Sequence, residues 1–188
     1  MSRLPEPQLP VIDDRVLLRP YELDDIEAVH AYYSRADVSR YLLTPPMSRD
    51  EVAALVAARA RRVCPQQSGE ALALVVEHAG QVVGDVVLIL AGTDGAEVGW
   101  VLNPAFGGRG LATAAVTLLL RLAFDHYGLG SVTARLDRRN DASARLCARL
   151  GMDLTGVERQ DGTSGDPIDV QTYVMAAERW RGGRARCR

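Results

Sequence analysis

Three glycines in four positions, Gly107-Gly108-Arg109-Gly110, separate a strand-like run, Ala96 to Leu102, from the most regular apolar helix in the sequence. A stretch so poor in side chains suits neither neighbour, so the chain must leave a sheet and enter a helix through a bare turn. The helix predicted from about Gly110 to Tyr127 carries Leu111, Ala115, Leu118, Leu119 and Leu122 on one stripe. Its first amides lack intrahelical partners and stand at the positive end of the macrodipole. Such amides suit an anion, typically a phosphate or pyrophosphate.

The flanking segments restrict the architecture further. Arg15 to Arg19 reads as a strand ended by Pro20, and Glu22 to Ser34 as a helix with Leu23, Ile26, Val29, Tyr32 and Tyr33 at helical spacing. Ser48 and Glu51 form a capping box for a second helix, which Cys64-Pro65 stops. Ala71 to His78 and Gln81 to Ala91 read as a hairpin around Ala79-Gly80. Beyond the glycine turn and its helix come a strand from Ser131 to Leu136 and a helix from Asp141 to Leu150, capped by Asn140 and closed by Gly151. Met152 to Glu158 and Ile168 to Met175 are the last strands, around a glycine-rich loop at 161–167. The order predicts an α/β (α+β) fold, a mixed sheet covered by helices. Residues 1–14 read as an extended arm, 15–180 as a single domain, and 181–188 as a basic, disordered tail.

Composition excludes several classes. A net charge of −2 argues against a dedicated nucleic-acid binder. Cys64, Cys147 and Cys187 are widely spaced, which implies neither a disulfide framework nor a metal site and fits a reducing cytoplasm. No apolar run approaches the ~20 residues that span a bilayer, and the N-terminus lacks the apolar core of a signal peptide. DNA and membranes are therefore not expected partners; a homodimer is compatible with the sequence. His30, His78 and His126 are scattered and have no nucleophile partner by motif.

Three phosphate-binding turns compete for the glycines. A P-loop requires a lysine, and all 22 basic residues here are arginine. A dinucleotide fingerprint would place a third glycine where Thr113 stands, and antiparallel hairpins precede the turn. The third option is the pyrophosphate turn Q/R-x-x-G-x-G/A, whose fourth and sixth positions are matched by Gly110 and Ala112, with Gly107 in the first. Downstream, Asn140-Asp141-Ala142-Ser143 and the leucine-containing turn ending Gly151-Met152 supply a second motif. On these residues the chain resembles the GCN5-related N-acetyltransferase (GNAT) superfamily. The strand ending Leu17-Leu18-Arg19-Pro20 and the closing Tyr173 and Glu178-Arg179-Trp180 resemble its RimJ/RimL-type ribosomal-protein N-terminal acetyltransferase branch.

The resemblance implies a mixed, mostly antiparallel sheet of about seven strands with about four helices, splayed between strands four and five. It implies acetyl-CoA as acyl donor in that cleft, with pantetheine along Val101 and Leu102. The pyrophosphate would lie on Gly107, Gly108, Arg109, Gly110, Leu111, Ala112 and Thr113. Asn140 would hold the pantetheine amide or the acceptor region, and Ser143 would hydrogen-bond the CoA sulfur and protonate the leaving thiolate. The slot that often holds a tyrosine acid contains Cys147, expected to be a packed residue. Glu97, with Trp100 beside it, is the expected general base; Asp161 and Asp169 are further carboxylates. An N–H near Leu102 would meet the developing oxyanion. Acetyl transfer to a primary amine, on a protein N-terminus or a small molecule, by direct attack is the implied reaction. A CoA-binding module without transfer activity, or an enzyme using a larger acyl-CoA, remain alternatives.

Overall fold

The computed structural model describes residues 4–42, 44–161 and 167–185. A single sheet runs through it in the order β1-β2-β3-β4-β5-β6-β8-β7. These strands are β1 (Val11–Ile12), β2 (Leu17–Arg19), β3 (Ala71–His78), β4 (Gln81–Ala91), β5 (Gly95–Leu102), β6 (Ser131–Asp137), β7 (Asp153–Asp161) and β8 (Pro167–Ala176). The helices are α1 (Ile26–Tyr33), α2 (Ala36–Ser39), α3 (Arg49–Arg59), α4 (Leu111–Arg121), α5 (Asp141–Leu150) and α6 (Ala177–Ala185).

Among the described residues there are thus eight strands and six helices, against about seven and four expected. The added strand is β1, where part of the predicted arm pairs with β2 through Val11↔Leu18 and Ile12↔Leu17. The added helices are the single turn α2 and the C-terminal α6. Disorder was expected from residue 181, but α6 continues to Ala185; residues 186–188, and 162–166 of the predicted glycine-rich loop, lie outside the described residues. Trp180 anchors α6 by stacking on Phe124 at 5.7 Å and donating Nε1–H to Asp125 Oδ1 at 2.9 Å.

The strand pairs are antiparallel except β5–β6, which is parallel. That joint holds only Gly95↔Ser131, Ala96↔Val132 and Glu97↔Thr133. On its two sides the ladders continue, β4–β5 to Gly84↔Leu102 and β6–β8 to Asp137↔Val170. From Val98 onward β5 and β6 therefore diverge, and the sheet is splayed at the joint the family resemblance implies.

Strand alternation sends side chains into two layers. Leu72, Leu74, Leu88 and Val98 join α4 residues Leu111, Ala115, Leu118 and Leu119 in the larger core. Ala73 and Val75 point the other way, to Val29, Tyr32 and Tyr33 of α1 and Val52 and Val56 of α3. Full burial of a leucine such as Leu119 contributes roughly 1.5–3 kcal/mol, so the apolar stripe fixes how α4 lies and hence where its N-terminus points. The Ser48 cap forms as expected, its hydroxyl accepting from Glu51 N–H at 3.3 Å. No helix among the described residues is long and apolar enough to cross a membrane.

Candidate active site

The glycine turn is built as its sequence dictates. Asn103 Oδ1 accepts from Ala105 N–H at 3.0 Å, which starts a short turn over Pro104–Phe106. Gly108 and Gly110 then take φ of +75° and +74°, which side-chain-bearing residues rarely adopt. Gly110 is the N-cap of α4 and its carbonyl accepts from Ala114 N–H at 3.1 Å. The amides of Leu111, Ala112 and Thr113 are left without an intrahelical acceptor.

These residues line a cavity of about 600 Å³. Val101, Leu102, Gly107, Gly108, Arg109, Gly110, Leu111, Ala112, Thr113, Asn140 and Ser143 all face it, so the residues expected to bind the donor are brought together in one place. The Arg109 guanidinium stands 5.6 Å from the Phe106 ring centroid. Gly107 leaves the turn without the glutamine or arginine of the motif. Another cation lies close by: a Cβ at Gly110 would meet Arg15 Nη1 at 2.7 Å. Arg15 is 95 positions upstream in the chain, and no local motif points to it.

The wall of the cleft offers free backbone. Asn103 N–H donates to Val83 O at 2.8 Å, which fixes the phase of the β4–β5 ladder. Alternation then turns the N–H and C=O groups of Val98, Trp100 and Leu102 away from β4, toward the gap left by β6. An extended amide-containing chain can pair there as an added strand, and the Leu102 N–H opens onto the same gap. Across the gap, Asn140 caps α5 through Oδ1, which accepts from Ser143 N–H at 3.1 Å and leaves its NH₂ group for a ligand. Ser143 Oγ accepts from Trp100 Nε1–H at 3.2 Å, so the hydroxyl keeps its own proton to donate. Cys147 is fully buried in the larger core, and burial pushes its thiol up to about 12. It is the packed residue expected of that slot.

A second cavity, about 370 Å³, continues from the first. Tyr41, Leu42, Trp100, Val101, Asn140 and Ser143 line both. Its inner wall carries a buried polar cluster that sequence reasoning missed. The Asp85 carboxylate accepts from Arg59 Nη1 at 2.7 Å, Tyr32 OH at 2.8 Å and Tyr33 OH at 3.3 Å. Arg59 Nη1 also donates to Tyr21 OH at 2.6 Å. Burial, reinforced by the Asp85 charge, raises Tyr32 and Tyr33 well above the ordinary phenol value. Burial is the largest single effect on Arg59 and opposes its charge, but Asp85 together with Tyr21 and Tyr33 outweighs it and holds the guanidinium above its usual range. The cluster draws on a turn, α1, α3 and β4, which explains why no local pattern announced it.

Glu97 lies outside both cavity linings. It is half-buried on β5, on the same strand face as Gly99 and Val101, which line the second cavity. Asp161 and Asp169 are also outside both, and Asp169 pairs with Arg138 at 3.3 Å. No histidine lines either cavity: His78 Nδ1 meets Arg15 O at 2.7 Å and His126 Nε2 meets Pro5 O at 3.2 Å.

A mixed sheet parted at its one parallel joint, with a bare helix start at the mouth of the cleft, is the arrangement that the GNAT resemblance implies. Residues 15–153 match the acetyltransferase (GNAT) domain family, and the chain belongs to it. Over 168 residues it is 24% identical to the uncharacterized N-acetyltransferase YnaD of Bacillus subtilis (strain 168), covering 88% of this chain and 96% of that protein. The spermidine N-acetyltransferase from Vibrio cholerae, solved with CoA and spermine, aligns with a TM-score of 0.76 at 20% identity, over 90% of this chain and 99% of that one. RimL, the ribosomal L7/L12 α-N-protein acetyltransferase solved with coenzyme A, aligns with a TM-score of 0.76 at 19% identity, over 90% and 98%. At such identities the shared feature is the fold.

Proposed function

We propose that the protein transfers acetyl from acetyl-CoA to a primary amine by direct attack, with the donor in the larger cavity and the acceptor entering through the smaller. The observation that carries this reading is the convergence of the glycine turn, the free edge of β5, Asn140 and Ser143 on one cavity. The pyrophosphate rests on the amides of residues 107–113, assisted by the Arg109 and Arg15 guanidinia. Pantetheine pairs with the β5 edge, and Leu102 N–H receives the carbonyl oxygen as charge develops on it.

Attack needs a neutral amine. The two carboxylates that line the acceptor cavity are already bonded to arginines, Asp85 to Arg59 and Asp137 to Arg139. Glu97 forms no side-chain hydrogen bond among the described residues and lies two positions from Gly99, roughly 6.6 Å along the strand. It takes the amine proton through an intervening water. As the C–S bond breaks, Ser143, aligned by Trp100, gives its proton to the departing CoA thiolate and takes in its place the one shed by the newly acylated nitrogen.

The acceptor is a protein N-terminus, as in the RimJ/RimL-type branch the sequence resembles, or a small-molecule amine. The test is release of free CoA thiol from acetyl-CoA across a panel of peptides and amines, with the acetylated product identified by mass. Transfer to at least one amine is expected. CoA binding without thiol release across the panel would replace this reading with a silent CoA-binding module.

A further inference from the structure

We infer that the acceptor bears an anionic group, a carboxylate, beside its reactive amine, and that Arg135 is the residue that selects it. This rests on the acyl-transfer reading above and assigns the substrate class to the smaller cavity.

The argument is a charge inventory of that cavity. Among the described residues, four charged side chains line it: Arg59, Asp85, Arg135 and Asp137. Asp85 is matched by Arg59 at 2.7 Å and two tyrosine hydroxyls. Asp137 is matched by Arg139, with Nη2 at 2.6 Å, Nε at 3.0 Å and the Arg139 backbone N–H at 2.8 Å. Its carboxylate side chain is 1% exposed, so the pair is closed to an incoming cation. Arg135, exposed on β6, forms no ion pair among the described residues and is left as the net charge of the wall. The nearby rim has the same sign: Arg40 lies over the Tyr41 ring at 4.6 Å, and Tyr41 lines both cavities. The one carboxylate lining the donor cavity, Asp37, is bonded twice to Arg35 at 2.9 Å.

A polyamine acceptor needs open carboxylates for its second and third ammonium groups; among the described residues the cavity lining has none, and the unbonded Glu97 just beyond it serves the reacting amine itself. A guanidinium fork without a partner among the described residues, at the wall of a cavity that also exposes neutral Asn140 and Ser143, fits a carboxylate in two-point contact. The same chemistry is presented by a free amino acid and by a peptide whose first residues are acidic.

The test compares acceptors that differ in charge, with rates corrected for the fraction of neutral amine: Ala-Glu against Ala-Gln peptide amides, β-alanine against β-alaninamide, and spermidine. Each is measured for thiol release and, separately, for equilibrium binding to the CoA-loaded protein. The acidic member of at least one pair should be preferred about two- to fivefold, the responding pair telling peptide from small molecule, and spermidine should be poorest. Arg135→Gln should erase the preference through KM, leaving the neutral member and CoA affinity unchanged. Arg135→Glu should shift binding toward spermidine. Acidic preference in binding, with no transfer to any acceptor, would sink the transferase reading but keep this one. Equal binding of acidic and neutral members, preference for spermidine, or a uniform loss in Arg135→Gln would overturn it.

Discussion

Removing the Asp85 carboxylate while leaving Arg59 in place should destabilise the protein by about 3–5 kcal/mol, the cost of stranding one partner of a buried ion pair. The structure supplies the reasons for a value in that range. The Arg59 side chain is 15% exposed and that of Asp85 2%, so water cannot take over the role of counter-ion. Tyr32, at 0% exposure, would also lose the acceptor for its hydroxyl. For a chain of this length each kcal/mol corresponds to about 2–4 °C in Tm, so Asp85→Ala should melt roughly 6–20 °C below wild type. Arg59→Met should be similarly harmful, because it strands the carboxylate instead. The double variant Arg59→Met/Asp85→Ala removes both charges and should cost little more than the worse single variant, so the coupling is close to the smaller single effect, about 3–5 kcal/mol. Thermal and urea unfolding followed by circular dichroism, without CoA, would measure the cycle, with constant m-values checking that the unfolded reference is shared. Single effects that add to within about 0.5 kcal/mol would show that the charges are not coupled and refute the description of the cluster.

Other consequences are independent of this one. Gly110→Asp should weaken CoA binding about 100-fold or more by facing the pyrophosphate with a carboxylate, while Gly110→Asn, of the same shape and similarly tolerant of positive φ, should weaken it far less; equal affinities by calorimetry would remove the phosphate from this turn. Glu97→Gln should lower turnover about 100-fold at pH 6. The gap should narrow as pH passes the amine's own pKa, ~8 for an α-amine, and a pH-independent loss would move the base elsewhere. Arg139, hydrogen-bonded to it, holds the Asp137 carboxyl below its ordinary value. A depressed carboxyl pKa contributes stability that is present above the unfolded value of ~3.9 and lost as pH falls through the folded one. The Tm gap between wild type and Asp137→Asn should therefore be full above pH ~5 and close toward pH ~2; a gap that persists in acid would contradict the assignment.

The parts of the fold read correctly from sequence are those whose signals are local. The α4 stripe, the Ser48–Glu51 box and the Asn140 cap each involve residues within a few positions of one another, and each forms as spaced. The extra elements had weaker local signals. Val11–Ile12 is too short to show alternation and becomes a strand only because β2 offers an edge. α6 is held by Trp180 against Phe124 and Asp125, contacts made across more than fifty positions. Tertiary partners override a composition that favours a solvated tail.

The same division separates the two halves of the site. The proposed donor half is made mostly of backbone: amides at a helix start and a strand edge, placed by glycines and by the pairing that ends at Glu97↔Thr133. Backbone sites leave a spacing in the sequence, and the spacing is legible. The acceptor half is made of side chains from a turn, α1, α3, β4 and β6, and Tyr33, Arg59, Asp85 and Arg135 meet only after folding. Nothing in the donor machinery depends on which charge Arg135 carries, because that residue lines the smaller cavity alone. The acceptor preference can therefore change by single substitutions on β6 while acetyl-CoA binding persists. A chain can thus declare its donor through a motif and leave its acceptor to be read from the unpaired charge of a wall.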